Sequence, residues 1–235
     1  MTDVTRPKLV IFDCDGVLVD SESAHSEVVA ASLTRYGLPM TPEDCMSRFV
    51  GNRMATIGEA ATVMGAALPY DWVREVYAEI FVKLREGVPI IPGIPALLDE
   101  LDAAGIPYCV GSNGSEDKME ITLGHIGIHD RFAGRIFSAY TLNTWKPEPG
   151  LYLHAAQALG VAAADSVVVE DSVTGATAAQ RAGMRCFGYA PHDDGAGLAA
   201  VGATVFHDMA ALPDLLGLAE ADMRDEAPAQ SLRSA

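Results

Sequence analysis

The chain has 235 residues, of which 49% are hydrophobic and 20% are charged, so it is long enough and apolar enough to bury a full core. Its 32 acidic and 16 basic residues give a net charge of −16, which argues against nucleic acid as a partner. We find no apolar run near the roughly 18 residues of a membrane span and no apolar signal-peptide core. We therefore expect a cytoplasmic protein with no membrane partner.

The cysteines are few and scattered along the chain, at Cys14, Cys45, Cys109 and Cys186. None of them belongs to a C-x-x-C pair, and each has an apolar setting. This pattern favours reduced, buried thiols over disulfide bridges or a zinc site.

The first predicted element is a strand over Leu9–Phe12, an uninterrupted apolar run that is typical of a buried parallel strand. Asp13, Asp15 and Gly16 follow it directly. Open α/β sheets bind ligands beyond the carboxyl ends of their strands, and burying two unpaired carboxylates costs several kcal/mol. We therefore expect both aspartates in a functional site. The alternative is an Asx turn closed by Gly16.

After Asp20 the pattern changes from strand to helix. Apolar residues recur at helical spacing at Val29, Leu33 and Tyr36. Thr41 is a candidate N-cap of a second helix, and Asp71 of another that ends at Gly87. Because no strand pattern occurs before Val88, we predict an all-helical domain over residues 21–90.

Strands and helices then alternate along the rest of the chain. The pattern predicts strands over residues 106–111, 135–139, 166–169, 186–189 and 203–206, with helices between them. Such alternation predicts an α/β fold with a doubly wound parallel (Rossmann-like) sheet. We expect the core to comprise residues 1–20 and 91–218, with residues 21–90 as an inserted helical cap and residues 219–235 as a loose tail.

Polar residues follow three more of these strands. Ser112 and Asn113 come after the second strand, Lys146 lies in a later loop, and Glu170 and Asp171 follow the 166–169 strand. Each motif alone is common on protein surfaces. Because the carboxyl ends of parallel strands share one edge of a sheet, their joint occurrence predicts a single site.

The segments DCDGVLVDSE, VGSNGS, TWKPEPGLY and VVVEDSVTG resemble, in order, the motifs of the haloacid dehalogenase-like (HAD) phosphohydrolases. The inserted cap resembles the small-helical-cap subgroup that includes β-phosphoglucomutase and sugar-phosphate phosphatases. The resemblance implies that Asp13 is the nucleophile and Asp15 the general acid/base. It also implies that Ser112, Asn113 and Lys146 bind phosphate. The dehalogenases lack the second aspartate, so Asp15 indicates phosphoryl transfer.

A divalent cation is expected at the acidic residues. Two like charges ~4 Å apart repel by about 4 kcal/mol at an effective dielectric near 20, and a phosphate ester adds further negative charge. By resemblance, Mg²⁺ is held by Asp13, Asp171 and the backbone carbonyl of Asp15, with Glu170 in support. We further expect the crowded acidic surroundings to keep Asp15 protonated.

Two cap residues are candidates for substrate binding. His25 lies ten positions after Asp15, as does a histidine of the β-phosphoglucomutases, and Arg53 can form a forked contact with a polar substrate. The alternatives are that His25 packs at the hinge and that Arg53 is solvated. The β-phosphoglucomutases also use a lysine from a later cap helix. In the corresponding predicted helix, over residues 72–86, Tyr77 aligns with that lysine, and Lys83 near the end is the only lysine.

Trp145 departs from the family pattern, which usually has glycine before the motif lysine. Trp145 either lines the entrance of the site or packs on the surface of the core.

The predicted function is a Mg²⁺-dependent phosphatase that hydrolyses small phosphorylated metabolites, sugar phosphates in particular, through an aspartyl-phosphate. The partner is a small-molecule phosphate ester, and the expected state is a monomer or weak homodimer. The alternatives are a β-phosphoglucomutase-like phosphomutase, a phosphoacceptor signalling domain, and a binding protein without catalysis.

Overall fold

The computed structural model describes residues 6–49, 52 and 54–218. The predicted tail over residues 219–235 lies outside the described residues. The strands are β1 (Leu9–Phe12), β2 (Tyr108–Ser112), β3 (Ile136–Ser138), β4 (Ser166–Glu170), β5 (Arg185–Tyr189) and β6 (Thr204–Phe206). The α-helices are α1 (Glu22–Arg35), α2 (Pro42–Phe49), α3 (Met54–Val63), α4 (Trp72–Glu86), α5 (Ile94–Ala103), α6 (Glu116–His125), α7 (Ala139–Leu142), α8 (Gly150–Ala158), α9 (Val173–Arg181), α10 (Ala196–Ala200) and α11 (Leu212–Leu216).

The strands form one parallel sheet in the order β3-β2-β1-β4-β5-β6. Strand β1 occupies the centre, as its continuous apolar sequence predicts, because a central strand is buried on both faces. Phe12 pairs in register with Val110 of β2 and Val169 of β4, so the strands end side by side. The predicted doubly wound α/β fold is confirmed.

The five strands after β1 differ from their predicted bounds by one or two residues at one or both ends. Strand β2 begins at Tyr108 rather than at residue 106, and Pro107 has no N–H to donate to a neighbouring strand. Helix α9 begins at Val173, because the Ser172 hydroxyl accepts a hydrogen bond from the backbone N–H of Gly175 at 3.0 Å and caps the helix.

Helices α1 to α4 lie between β1 and β2, and the described residues of 21–89 contain no strand. Thr41 caps α2 as predicted, since its hydroxyl accepts a hydrogen bond from the backbone N–H of Asp44 at 3.1 Å. The predicted side-chain cap by Asp71 is wrong. Asp71 lacks the extended backbone of an N-cap residue, and its carboxylate instead pairs with Arg74 at 2.7 Å.

The two chain crossings between the sheet and these helices run side by side. Val19 and Ile90 form an isolated antiparallel bridge, and the backbone N–H of Asp20 donates to the carbonyl of Pro89 at 2.9 Å. The helical segment therefore leaves and rejoins the core at one place. This arrangement supports our proposal that residues 21–90 form a cap domain.

The four cysteines are free and buried, as predicted. The sulfur of Cys14 lies 3.9 Å from the Thr122 hydroxyl of α6, so Cys14 is packed between the end of β1 and that helix. Within the described ranges, no helix combines the length and apolarity that a membrane span requires.

Candidate active site

The ends of three adjacent strands bring their polar residues to one edge of the sheet. Asp13 follows β1, Ser112 ends β2 and Glu170 ends β4. Lys146 reaches this edge from the loop before α8, and its ammonium lies 2.7 Å from Asp13 Oδ1 and 2.6 Å from Glu170 Oε1. The Lys146 side chain is only 3% exposed, so these carboxylates are the groups that compensate its buried charge.

Glu170 is surrounded by hydrogen-bond donors. Its Oε1 accepts from the Tyr152 hydroxyl at 2.7 Å, and its Oε2 accepts from the Ser172 hydroxyl at 2.8 Å and the backbone N–H groups of Asp171 and Ser172. Burial raises the pKa of Glu170, but the Lys146 charge and these hydrogen bonds outweigh it and hold the pKa below its ordinary value. Glu170 is therefore held ionised, with the Lys146 ammonium 2.6 Å from its Oε1.

Asp171 lies in the same acidic group but has no such donors. Carboxylate oxygens of Asp13, Glu170 and Asp171 lie within 4.8 Å of one another. Among residues 6–49, 52 and 54–218, no side chain or backbone N–H donates a hydrogen bond to the Asp171 carboxylate. Burial, and then the charges of Glu170 and Asp13, raise the pKa of Asp171 well above its ordinary value.

These residues fit a divalent cation. Burial also raises the pKa of Asp13, despite the opposing charge of Lys146. A partly buried carboxylate without a hydrogen-bond donor, next to two other carboxylates, is the arrangement that a hard cation stabilises, and all of the candidate ligand atoms are oxygens. The acidic cluster could therefore hold Mg²⁺, with Asp171 as its least compensated member.

Asp15 lies outside that cluster and is bound by two donors. Its Oδ1 accepts a short hydrogen bond from the Ser21 hydroxyl, and its Oδ2 lies 2.7 Å from the ammonium of Lys118. Burial raises the pKa of Asp15, but Lys118, His25 and the Ser21 hydrogen bond lower it to about 2. The expectation that acidic neighbours keep Asp15 protonated is therefore wrong, because a buried ammonium group contacts it directly.

The residues at the end of β2 and just after it form a loop at the same edge of the sheet as Asp13. The Ser112 hydroxyl is buried and accepts from the backbone N–H of Gly114 at 3.0 Å. Asn113 Oδ1 accepts from the backbone N–H of Lys146 at 3.0 Å. Asn113 thereby ties the loop that carries the lysine to the end of β2.

On the cap side, His25 of α1 lies beside Asp15 and Lys118. Burial, and then the Lys118 charge, lower the pKa of His25 to about 4, so its ring is neutral at neutral pH. Tyr77 of α4 lies beside Lys118 and Tyr140, and burial raises its pKa. Arg53 lies outside the described residues.

Trp145 is half-buried and packs edge-on against Tyr140, with ring centroids 5.8 Å apart. The structure thus places Trp145 against a residue that borders the cap. Lys83, the only lysine of α4, forms surface ion pairs with Glu27 at 3.1 Å and Glu86 at 3.5 Å.

A family model for haloacid dehalogenase-like hydrolases matches residues 7–183. The chain belongs to the haloacid dehalogenase-like hydrolase family. It is 33% identical over 214 residues to 6-phosphogluconate phosphatase of Escherichia coli (strain K12), covering 90% of this chain and 96% of the relative. This similarity confirms the expected enzyme class, a HAD phosphatase.

Solved structures agree with this assignment. A HAD family hydrolase from Deinococcus radiodurans R1, solved with bound phosphate and sodium, has a TM-score of 0.77 and 31% identity, covering 91% of this chain and 97% of that one. A putative β-phosphoglucomutase from Thermotoga maritima has a TM-score of 0.74 and 24% identity over 90% of this chain and 98% of its own. This second similarity confirms the fold of the HAD hydrolase.

Sequence reasoning missed several residues of the site in this HAD hydrolase. They are Ser21, Lys118, Tyr152 and Ser172. None of these residues is among those to which the family resemblance assigns a role. One signal for Lys118 was available. A lysine in the first turn of a helix opposes the helix dipole, and such a cation indicates a nearby anionic partner.

Proposed function

We propose that this HAD hydrolase is a Mg²⁺-dependent phosphatase that hydrolyses small phosphorylated metabolites through an aspartyl-phosphate on Asp13. The observation that carries the proposal is that Asp13 lies close both to a positively charged ammonium group and to a second carboxylate. Lys146 contacts Asp13 at 2.7 Å, while the undercompensated Asp171 carboxylate lies in the same acidic cluster. A nucleophile, a cation and a cation site thus share one strand edge.

Asp13, Asp171 and the backbone carbonyl of Asp15 are the proposed ligands of Mg²⁺, with Glu170 in support. When bound, Mg²⁺ neutralises the carboxylates and draws charge from the phosphate oxygens. Lys146 balances the remaining charge on Asp13 and the phosphoryl group.

The proposed reaction has two steps. In the first, an Asp13 oxygen attacks phosphorus in line, the bond from phosphorus to the ester oxygen breaks, and Asp15 protonates the departing oxygen. Ser112 and Asn113 bind the phosphoryl oxygens. In the second step, Asp15 takes a proton from the water that attacks the aspartyl-phosphate, which releases inorganic phosphate and regenerates Asp13.

The ionised state of Asp15 requires a source for the first proton. The pKa of Asp15 is lowered to about 2, so the free enzyme holds it as a base, ready for the water step. A phosphate monoester has a second pKa near 6, and its monoanion can deliver the missing proton to Asp15 on binding. After the second step Asp15 returns the proton that it took from water to the departing phosphate, so the ionised Asp15 is restored and the proton count closes over one turnover.

The proposed substrates are sugar phosphates and related phosphorylated polyols or sugar acids. The relative that acts on 6-phosphogluconate supports this class, since it matches nearly the whole chain. His25, which borders Asp15, and Arg53 are the proposed cap residues for substrate contact. A neutral imidazole beside the site suits hydroxyl groups as hydrogen-bond partners.

The test is release of inorganic phosphate from a panel of phosphate esters that includes 6-phosphogluconate, sugar phosphates and phosphoglycolate. We expect Mg²⁺-dependent turnover on at least one sugar-type ester. Asp13→Asn should lower kcat by several orders of magnitude with the fold intact, because an amide is not a competent nucleophile. Absence of turnover across the panel would contradict the proposal. A stable phosphoprotein would instead indicate a phosphoacceptor domain.

A phosphomutase is the second candidate, and His25 is the observation that favours it. His25 lies near Asp15, which supports a mutase, but Lys83 is paired with Glu27 and Glu86, and Tyr77 borders the site. We therefore expect β-glucose 1-phosphate with a trace of the 1,6-bisphosphate to yield no glucose 6-phosphate. Rapid formation of glucose 6-phosphate would replace the phosphatase by the mutase and retain Asp13 as the nucleophile.

A further inference from the structure

Lys118 contacts the proposed acid/base and belongs to none of the motifs that identify the site. Its ammonium lies 2.7 Å from Asp15 Oδ2, and its side chain is only 11% exposed. It comes from the first turn of α6, directly after the loop that follows Ser112. A lysine is therefore delivered to the site by the same helix that begins beside the phosphate-binding loop.

The position is unfavourable for a cation unless Asp15 compensates it. The N-terminus of a helix carries partial positive charge, and burial of an ammonium group adds a desolvation cost. Glu22 and His25 of α1 and Tyr77 of α4 also face this group. Within the described residues, Asp15 is the acceptor that Lys118 binds directly.

The contact also restricts the Asp15 side chain. Ser21 binds Oδ1 and Lys118 binds Oδ2, so the carboxylate is held from both sides. Ser21 lies at the junction with the cap, whereas Lys118 belongs to the core. Lys118 is the donor that attaches the carboxylate to the sheet side of the site. Without it, rotation about the two side-chain bonds of Asp15 would be limited by Ser21 alone.

We propose that Lys118 is a positioning residue that holds the Asp15 carboxyl group where the departing ester oxygen leaves. The inference rests on the proposed function, because it requires Asp15 to transfer a proton to that oxygen. When the proton donor is displaced, hydrolysis slows most for esters whose leaving group cannot depart without a proton. This dependence separates positioning of Asp15 from general damage to the site.

The experiment compares kcat/KM for a sugar or alkyl phosphate, whose alkoxide needs a proton, with that for p-nitrophenyl phosphate, whose phenolate leaves without one. For Lys118→Met we expect a loss of about 100-fold on the alkyl ester and less than about 10-fold on p-nitrophenyl phosphate. Lys118→Arg keeps the charge and the donor and should recover part of the loss. The matched control is Lys83→Met at the cap surface, which should retain wild-type values for both esters.

A double-mutant cycle tests whether Lys118 acts through Asp15. In an Asp15→Asn background, Lys118→Met should lower kcat/KM by less than about 3-fold, since the group that it positions is already lost. Thermal unfolding of each variant shows whether it is folded, and Lys118→Gln replaces Lys118→Met if the latter unfolds.

Equal losses on the two esters, full additivity with Asp15→Asn, or wild-type kinetics of folded Lys118→Met would each overturn the inference. In all three cases an active wild-type enzyme leaves the proposed phosphatase standing. A wild-type protein without phosphatase activity would overturn the proposed function and the inference together.

Discussion

The Asp171 carboxylate lies against Gly16, so closely that a β-carbon at position 16 would overlap Asp171 Oδ2. Gly16 also has a φ of +76°, in the left-handed region that glycine adopts without a steric penalty. The loop after β1 and the loop after β4 can therefore approach each other only because residue 16 has no side chain. The acidic cluster thus depends on a residue that contributes no chemical group.

This relationship predicts that Gly16→Ala displaces Asp171 and weakens cation binding. We expect loss of most Mg²⁺-dependent turnover, together with a decrease in the free energy of unfolding of about 1–3 kcal/mol from the backbone strain. The matched control is Gly37→Ala, which has a φ of +87° with no atom within 4 Å of the added carbon. It should lose similar stability and keep its turnover. Equal Mg²⁺ dependence in both variants would contradict the role of Gly16.

The second prediction concerns metal removal. EDTA should abolish phosphatase activity, and Mg²⁺ at 100 times its Kd should raise the free energy of unfolding by about 2.7 kcal/mol. Asp171→Asn should lose this response. It should not destabilise the metal-free protein, because it removes a carboxylate whose pKa is raised by burial and by like charges. The control is Asp117→Asn on the exposed start of α6. Full activity after exhaustive chelation would exclude the proposed metal site.

The third prediction is a pH dependence of stability that arises from His25. Its pKa is lowered from 6.5 to about 4 in the folded protein, so the unfolded chain binds more protons between these pH values. His25 therefore lowers stability as the pH falls through this window, by at most about 1.4 kcal/mol per pH unit. Above pH 6.5 the contribution is constant, since the ring is neutral in both states.

The measurement is chemical denaturation of the metal-free protein at several pH values. His25→Asn should show a shallower loss of stability between pH 6.5 and pH 4 than the wild type. Taking the difference cancels the opposing contributions of Asp13 and Asp171, whose raised pKa values are common to both proteins. The control variant replaces the exposed His192. Parallel curves for the wild type and His25→Asn would contradict the prediction.

The fourth prediction is that residues 21–90 close over the core. The two chain crossings lie side by side at Val19 and Ile90, and the site lies at the adjacent strand ends, where it needs protection from water. Hydrogen exchange of α1 and α4 should slow when Mg²⁺ and a metal fluoride that mimics phosphate are added together. Unchanged exchange and unchanged solution scattering at saturation would contradict a mobile cap.

Gly87 offers a way to impede that closure. It has a φ of +137°, and an added β-carbon would lie 2.8 Å from His125 Nε2 of the core. We expect Gly87→Ala to reduce both kcat and the closure signal. Gly65→Ala is the matched control, because Gly65 has a φ of +108° and open space around it.

Much of this protein was predictable because its burial pattern is local. The apolar run of Leu9–Phe12 predicted β1 with the bounds that the structure has, and the spacing of Val76, Ile80 and Leu84 matches the buried face of α4. The order of the strand-end motifs predicted that Asp13, Lys146 and Glu170 would meet. Hydrophobic periodicity and strand-end placement are properties of short segments, which a sequence displays directly.

The charge state of the site was decided only by the tertiary structure. The pairing of Lys118 with Asp15 joins residues 103 positions apart, and it reverses the protonation that the acidic sequence around Asp15 suggested. The spacing of apolar residues along α6 does not show which of its residues lies next to the end of β1. Electrostatic interactions fall off with distance through space, not along the chain, so a pKa is determined only when every neighbouring charge has its place.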